Sequence, residues 1–394
     1  MRILFIDVNC KQGSTGNIVY NLHKKCKDSG IISSVCYGRG KKIRENNIFK
    51  FGLDFETYIH AFLTRLTGFT GCFSFFSTIR LIRYIKKFRP DIIHVHELHA
   101  YFVNVIQLLR FLKKKQIKVI FTNHCEFLYT GKCGHSRECN RYSEKCGKCP
   151  HLKEYPASWL FDHTSYMLRK KKSVFLEWED CFFVSPSKWL DSKLNTSFLH
   201  YKKRYVINNG IDTDAFAVDS ESPNENKEKI VLSVAPNIMS ELKGGYRVLE
   251  LAKKYEHDSV RFVLVGSTSN VPTDVPPNVT ILPLISDRNE LIKYYKNSDL
   301  FLICSSFENF PTTSLEAQCC GLPICGFNVG GVSETILPGN GSVVEYNDLT
   351  RMKDQIDHYL SLKIDKRSIS LRSISAFSND RMFNDYLNLY KQIL

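Results

Sequence analysis

The residues best suited to chemistry lie in one run, SSFENFPTTSLEAQCCGLPICGFNVGGVSE, residues 305–334. Two carboxylates, Glu308 and Glu316, stand in it with seven residues between them. The first sits in a loop after an apolar run. The second falls in the opening turns of a helix that the pattern starts near Pro311 or Thr312, since proline at a first helical position with threonine beside it is a favourable beginning. Backbone amides at Thr312, Thr313 and Ser314 would stand at that start, where the helix field favours a diphosphate. Glu316 can accept hydrogen bonds from a ribose and Glu308 from sugar hydroxyls. Read locally, this is a place for a nucleotide sugar; the plain alternative is two solvent-facing acids on an ordinary helix.

Other candidates are weaker alone. Lys243 in ELKGG, a lone lysine beside two glycines, reads by itself as a surface-loop residue. QGSTGN (12–17) follows the first apolar run, and Gly13 and Gly16 permit close backbone approach to a ligand. HVHELH (94–99) and TNHCEF (122–127) bring His94, His96, His99 and His124 near two strand ends. Strand alternation puts His94 and His96 on one face, and a buried, hydrogen-bonded histidine is the common outcome for each. A zinc site made from these histidines is the minor alternative. Cys133, Cys139, Cys146 and Cys149 follow C-x5-C-x6-C-x2-C, whose closing CxxC can present two thiolates to one tetrahedral ion. One structural zinc stapling that loop is the preferred expectation; disulfides and free thiols are the others.

The elements that must position these residues alternate short apolar runs with amphipathic segments, which is the pattern of parallel strands joined by crossover helices. In the first half, strands are expected at 2–8, around ISSVCYG, and at 91–97, 118–124, 181–187 and 203–212, with a helix from about Asn17 to Ser29. The polar stretch DSESPNENKEK (219–229) is the linker candidate. A second series comes after it: strands at 230–236, 260–266, 279–284, 299–306 and 322–327, and helices near 245–256, 287–297 and 312–320. The fold class expected is α/β, with two Rossmann-like doubly wound parallel sheets facing across a cleft that holds the shared site. The domains are set at 1–207, with a cysteine-rich insertion at 125–150, and at 208–375; a helix at 376–394 packs back toward the first domain.

The charge is one-sided. Residues 1–205 hold 36 lysines and arginines against 16 acids, whereas the rest holds 18 against 24, so the net +14 splits into +20 and −6. A basic half calls for an anionic partner: a phospholipid surface, lipid-linked phosphates or nucleic acid. The segment 58–88 mixes aromatics with arginines and lysines, which suits a membrane interface or a core helix with flanking charges. No run approaches the ~18 apolar residues of a membrane span, and MRILFIDVNC is too short and too acidic at Asp7 for a signal peptide. Fourteen cysteines without a secretory signal argue for reduced thiols and a cytoplasmic setting.

The glutamate pair followed by EAxxxGxP resembles the donor-site signature of family 4 glycosyltransferases of the GT-B fold, and the likeness runs from the N-terminal glycine loop to Gly330 and Gly331. That resemblance implies that Glu308 contacts the donor sugar, that Glu316 holds the nucleotide ribose, and that Lys243 neutralises the donor diphosphate. The family's phosphate-binding arginine is absent: its position holds Asn237, and the nearest substitute is Arg247. Gly13, Ser14 and Gly16 match a loop facing acceptor and diphosphate, and His124 matches a histidine lining the transferred sugar. The cysteine-rich insertion resembles one in capsular and exopolysaccharide members.

The resemblance implies a retaining glycosyltransferase of cell-surface polysaccharide biosynthesis. Such an enzyme would use a UDP- or GDP-sugar donor, need no metal for catalysis, and act on a glycan or polyprenyl-diphosphate-linked acceptor. It would sit at the inner face of the cytoplasmic membrane through its basic half, with no nucleic acid as partner. The rivals are a nucleic-acid-binding protein with a four-cysteine zinc site, which leaves the glutamates unexplained, and a sugar-nucleotide epimerase or phosphorylase on the same two-sheet plan.

Overall fold

A computed structural model describes residues 1–218, 228–266 and 271–394. The chain divides into two compact units: Met1–Asn208 with Phe383–Leu394, and Asn209–Met382. Most of the linker candidate, 219–227, lies outside the described residues; Lys229 already belongs to a strand.

In the first unit the order is β1 (Arg2–Asp7), α1 (Gly13–Asp28), β2 (Ile32–Tyr37), β3 (Ile48–Lys50), α2 (Asp54–Thr67), α3 (Phe75–Phe88), β4 (Ile92–Val95), α4 (Val105–Lys115), β5 (Lys118–Thr122), α5 (Thr164–Phe175), β6 (Cys181–Ser185), α6 (Lys188–Asn195) and β7 (Lys203–Val206). The strands form a seven-stranded parallel sheet in the order β3-β2-β1-β4-β5-β6-β7, which reverses between β1 and β4. β1 and β4 to β6 are buried along their described length apart from strand-initial Arg2 and Lys118, as parallel strands covered on both faces must be. Leu4, Ile6, Val95 and Phe121 share one core with Leu108, Leu112 and Phe175 of α4 and α5.

The second unit runs β8 (Lys229–Val234), α7 (Gly245–Lys253), β9 (Val260–Val265), β10 (Val279–Leu282), α8 (Arg288–Asn297), β11 (Leu300–Ile303), α9 (Thr312–Cys319), β12 (Ile324–Phe327), β13 (Gly341–Val344), α10 (Leu349–Ser361) and α11 (Lys366–Phe377). Its six parallel strands lie in the order β10-β9-β8-β11-β12-β13, with the reversal between β8 and β11. The last helix, α12 (Asn379–Ile393), gives its residues from Phe383 onward to the first unit, where Tyr390 Oη lies 2.7 Å from His94 Nδ1 and Tyr386 Oη lies 2.9 Å from Thr122 Oγ1.

Several expectations need correction. α1 begins at Gly13 instead of Asn17, so the glycine run is the helix's own first turn. The segment 58–88 is not one element: α2 ends at Thr67, Gly68 takes a left-handed C-cap, and α3 starts only at Phe75. The strand read over 203–212 stops at Val206. Short β3 and β13 were not anticipated because IFK and GSVV, each mostly half-buried, carry too little apolar pattern to register.

Candidate active site

In the second unit, the loops leaving β8 and β11 flank the reversal of strand order, where doubly wound sheets bind ligands. They are tied together. Ser306 N donates to Leu242 O at 2.9 Å, and Gly244, at φ +70°, lies so close to the end of β11 that a Cβ would sit 2.0 Å from Cys304 O. Only glycine lets the loop approach that far. The contact delivers Lys243, whose Nζ lies 2.5 Å from Glu308 Oε1, and Ser305 Oγ donates to the same oxygen at 2.8 Å. Glu308 is held from a third side by the loop after β12: Gly331 N donates to Glu308 O at 3.0 Å, and a Cβ on Gly330, at φ +58°, would stand 1.7 Å from that carbonyl. Gly330 is therefore required by the backbone of Glu308, and Gly331 contributes its N–H.

Pro311 caps α9 in an extended conformation, and Thr312 is the first helical residue. Thr312 and Thr313 are partly exposed, and their amides precede any carbonyl one turn back within the helix. Glu316 stands one turn further on. Burial pushes its carboxyl up to about 7, against the opposing hydrogen bond from Tyr295 Oη at 3.0 Å. Behind these groups a buried polar network fixes the helix: Gln318 Nε2 donates to Thr335 O at 2.6 Å, its Oε1 accepts from Leu337 N at 3.1 Å, and Thr335 Oγ1 donates to Ser314 Oγ at 2.8 Å. Sequence reasoning missed this support, although Ser314, Gln318 and Thr335 are polar residues at buried positions.

The candidate arginine substitute has protein partners of its own. Arg247 is buried in α7, donates from Nε to Asn347 Oδ1 at 2.9 Å, bonds Tyr346 Oη, and stacks over both Tyr246 and Tyr346. Its side chain is engaged with the loop after β13. Asn237 is exposed in a turn, where its carbonyl accepts from Ser240 N at 3.0 Å.

In the first unit the carboxyl ends of β1, β4 and β5 gather a second group around their own strand reversal. Gly13 opens α1 at φ +67°, Ser14 is exposed, and Gly16 is buried against Asn9. His96 Nδ1 and His124 Nε2 lie 2.9 Å apart, and burial lowers the affinity of both rings for a proton. His94 bonds Tyr390 and Thr122 and is wholly buried. His99 Nδ1 pairs with Glu97 Oε2 at 2.7 Å, and Cys125 Sγ donates to that oxygen at 3.3 Å. Asp7 Oδ1 accepts from Glu97 N at 3.1 Å; burial and then the Glu97 charge raise the Asp7 carboxyl to about 8, so it holds its proton at neutral pH. Asp7, Glu97 and Cys125 escaped the sequence reading as site residues. Their signal was position, each standing at or just beyond the end of a strand.

The four loop cysteines line a single cavity with Lys132 and Tyr142. Cys133 shares a thiol hydrogen bond with Cys149, and that bond pulls Cys149 down to about 6 while raising its partner. No three of the four sulfurs come within 4.8 Å of one another; among the described residues, the metal-ligating side chains that do gather so closely are Glu97, His99 and Cys125.

Comparison with known proteins agrees with this plan. The family model described as "Glycosyltransferase Family 4" matches residues 15–215, and that described as "Glycosyl transferases group 1" matches residues 216–373. The protein named colanic acid biosynthesis glycosyl transferase WcaC of Escherichia coli K12 is 23% identical over the full length of both chains. The capsular polysaccharide biosynthesis glycosyltransferase CapM of Staphylococcus aureus is 23% identical over 54% of this chain and 61% of its own. Among solved structures, sucrose-phosphate synthase of Thermosynechococcus elongatus superposes with a TM-score of 0.68 at 16% identity, covering 100% of this chain and 98% of its own. Anabaena HepE in complex with UDP-glucose gives 0.66 at 14% identity over 100% of both chains. These structural likenesses establish the GT-B fold.

Proposed function

We propose a specific transfer for this chain, which belongs to glycosyltransferase family 4: it moves a sugar from a UDP- or GDP-sugar to a lipid-linked or growing glycan in cell-surface polysaccharide biosynthesis, with retention of anomeric configuration. The observation that carries the proposal is the Lys243–Glu308 pair at the carboxyl ends of β8 and β11, beside the amino end of α9. It sets a cation, which a diphosphate requires, beside a carboxylate that can accept hydrogen bonds from sugar hydroxyls.

The amides of Thr312 and Thr313 with Lys243 take the diphosphate, Glu316 takes the ribose, and Glu308 orients sugar hydroxyls. Arg247 acts on the donor only indirectly, by fixing α7 behind Lys243. In a front-face displacement, the bond from the anomeric carbon to the phosphate oxygen breaks as the acceptor oxygen attaches on the same face. The leaving oxygen takes the acceptor proton. Fixed positive charge around the departing diphosphate is then the main catalytic contribution. Within the first unit, Gly13, Ser14, Gly16 and His124 are the acceptor-side candidates. The polysaccharide assignment is supported by the printed names of WcaC and CapM.

The test is thermal protection of the purified chain by a panel of nucleotide sugars, repeated on Lys243→Ala and Glu316→Ala. One UDP- or GDP-sugar is expected to protect the wild type and neither variant. Protection of neither kind, or undiminished protection of both variants, would sink the assignment.

For the cysteine loop we propose a structural zinc that draws Cys139 and Cys146 onto the Cys133–Cys149 pair. The support is that all four thiols line one cavity.

A further inference from the structure

α2 is built inside out. The residues it buries are Glu56, Thr57, His60, Ala61 and Thr64, whereas Phe55, Tyr58, Ile59, Phe62 and Leu66 form an exposed stripe at helical spacing. A helix docked on a protein core shows the reverse arrangement. The inward face is occupied by hydrogen bonding: Glu56 accepts from Phe76 N and Ser77 N at 2.8 Å each, His60 Nδ1 meets Ser74 Oγ at 2.8 Å, and Thr64 Oγ1 donates to Phe69 O at 3.1 Å. Those bonds leave the large side chains nowhere to go but outward. Tyr58 is 75% exposed and Phe62 53%.

The stripe has neighbours of the same kind. Trp159 N donates to Arg65 O at 2.7 Å, and the rings of Phe62 and Trp159 stand 6.4 Å apart, so the exposed run Trp159, Leu160 and Phe161 extends the patch. At the start of α3, Phe75 and Phe76 are exposed as well, held outward by the grip of Glu56 on that helix end. An exposed apolar area of this extent marks an interaction surface.

Charge identifies what it meets. Between Thr57 and Pro90 the chain carries six lysines and arginines and no acid. Beside the patch, a groove of about 430 Å³ is lined by Phe75, Gln107, Arg110, Tyr166 and Lys170 among others, with two cations and no carboxylate. Gln107 Oε1 is buried there without a partner. Aromatic and aliphatic side chains next to a cationic groove match the two layers of a bilayer surface, the acyl boundary and the anionic headgroups.

We propose that this face of the first unit docks on an anionic phospholipid surface: the α2 stripe and Trp159–Phe161 enter the acyl boundary, and the Arg110–Lys170 groove takes a lipid phosphate, with Gln107 accepting from a headgroup hydroxyl. The proposal rests on the reading of a lipid-carried acceptor for its purpose but not for its test.

The full chain is to be sedimented with vesicles of phosphatidylglycerol and phosphatidylethanolamine, and with vesicles of phosphatidylcholine alone. Transfer to a soluble glycan acceptor and melting temperature are followed in parallel. Wild type should bind the anionic vesicles at least about tenfold more tightly than the neutral ones, and less tightly as salt rises. Phe62→Ser with Trp159→Ser should weaken binding to both vesicle types by about tenfold or more. Arg110→Glu with Lys170→Glu should remove only the anionic preference. Unchanged binding in both double variants overturns the proposal. So does a concentration-dependent dimer that Phe62→Ser dissolves in the absence of vesicles, since the occupant would then be a second copy. Active transfer without vesicle binding sinks the docking surface alone; vesicle binding with no transfer sinks the enzymatic reading alone.

Discussion

Lys243 Nζ and Glu308 Oε1 stand 2.5 Å apart across 65 residues of sequence, joined because the loops after β8 and β11 are bonded at Ser306 and Leu242. Both partners are only partly exposed, so their charges are screened less than those of a surface pair. The proposed donor site is centred on this pair.

Lys243→Ala is expected to lower kcat/KM for the nucleotide sugar by about 10²-fold or more, since it removes fixed charge from the departing diphosphate. Glu308→Gln should do comparable harm through sugar orientation. The double variant should be less impaired than the product of the two single effects, because neighbours in one ion pair are not independent. Steady-state kinetics on the three variants checks this; strict multiplicativity would separate the roles.

Glu316 sets a pH dependence. Its folded-state pKa is raised from 4.5 to about 7, so the folded protein holds this proton more tightly than the unfolded chain. Its contribution to stability is complete below the ordinary carboxylate range and is lost as pH rises toward about 7, where the slope ends. In the proposed role Glu316 accepts from the ribose as a carboxylate, so donor affinity should fall as pH drops through about 7. Glu316→Gln is expected to flatten the stability profile over that window and to bind donor weakly at every pH. Melting curves and donor titrations across the window read both effects.

α12 should depend on its buried hydroxyls. Tyr390→Phe removes the partner of His94 Nδ1 at 2.7 Å and leaves a buried ring nitrogen unsatisfied. The expected loss is about 1–3 kcal/mol in urea unfolding. A variant as stable as wild type would show that this bond does not anchor the helix.

The cysteine loop should carry about one zinc per chain if its four thiols close on an ion. Chelation should then lower the melting temperature, and Cys146→Ser should abolish the metal. Protein purified with thiols intact and less than about a tenth of a zinc per chain would dispose of that proposal. Metal retained by Cys146→Ser but lost from Cys125→Ser would move the site to Glu97, His99 and Cys125.

Much of this protein was legible in one dimension because the informative patterns were local. Apolar runs such as ILFI and FVLV, alternating with amphipathic segments, fit covered parallel strands joined by helices, so the α/β plan could be read from that alternation. The glutamates around FPTTSL lie on one loop and one short helix, so their spacing was enough to raise the expectation of a donor site. Boundaries were less legible. Gly13–Gly16 read as a loop because glycine has poor helix propensity, yet these residues form the first turn of α1.

Tertiary structure alone decided the rest, because the deciding contacts join residues far apart in the chain. Nothing in ELKGG announces that Lys243 meets Glu308, nor in GYRVLE that Arg247 turns toward Tyr346 and Asn347. The burial of Asp7 beside Glu97, which moves its proton affinity, depends on the pairing of β1 with β4. The outward stripe of α2 is the sharpest case. Its spacing alone fits a core helix equally well, and only the hydrogen bonds that occupy its other face determine which side meets solvent.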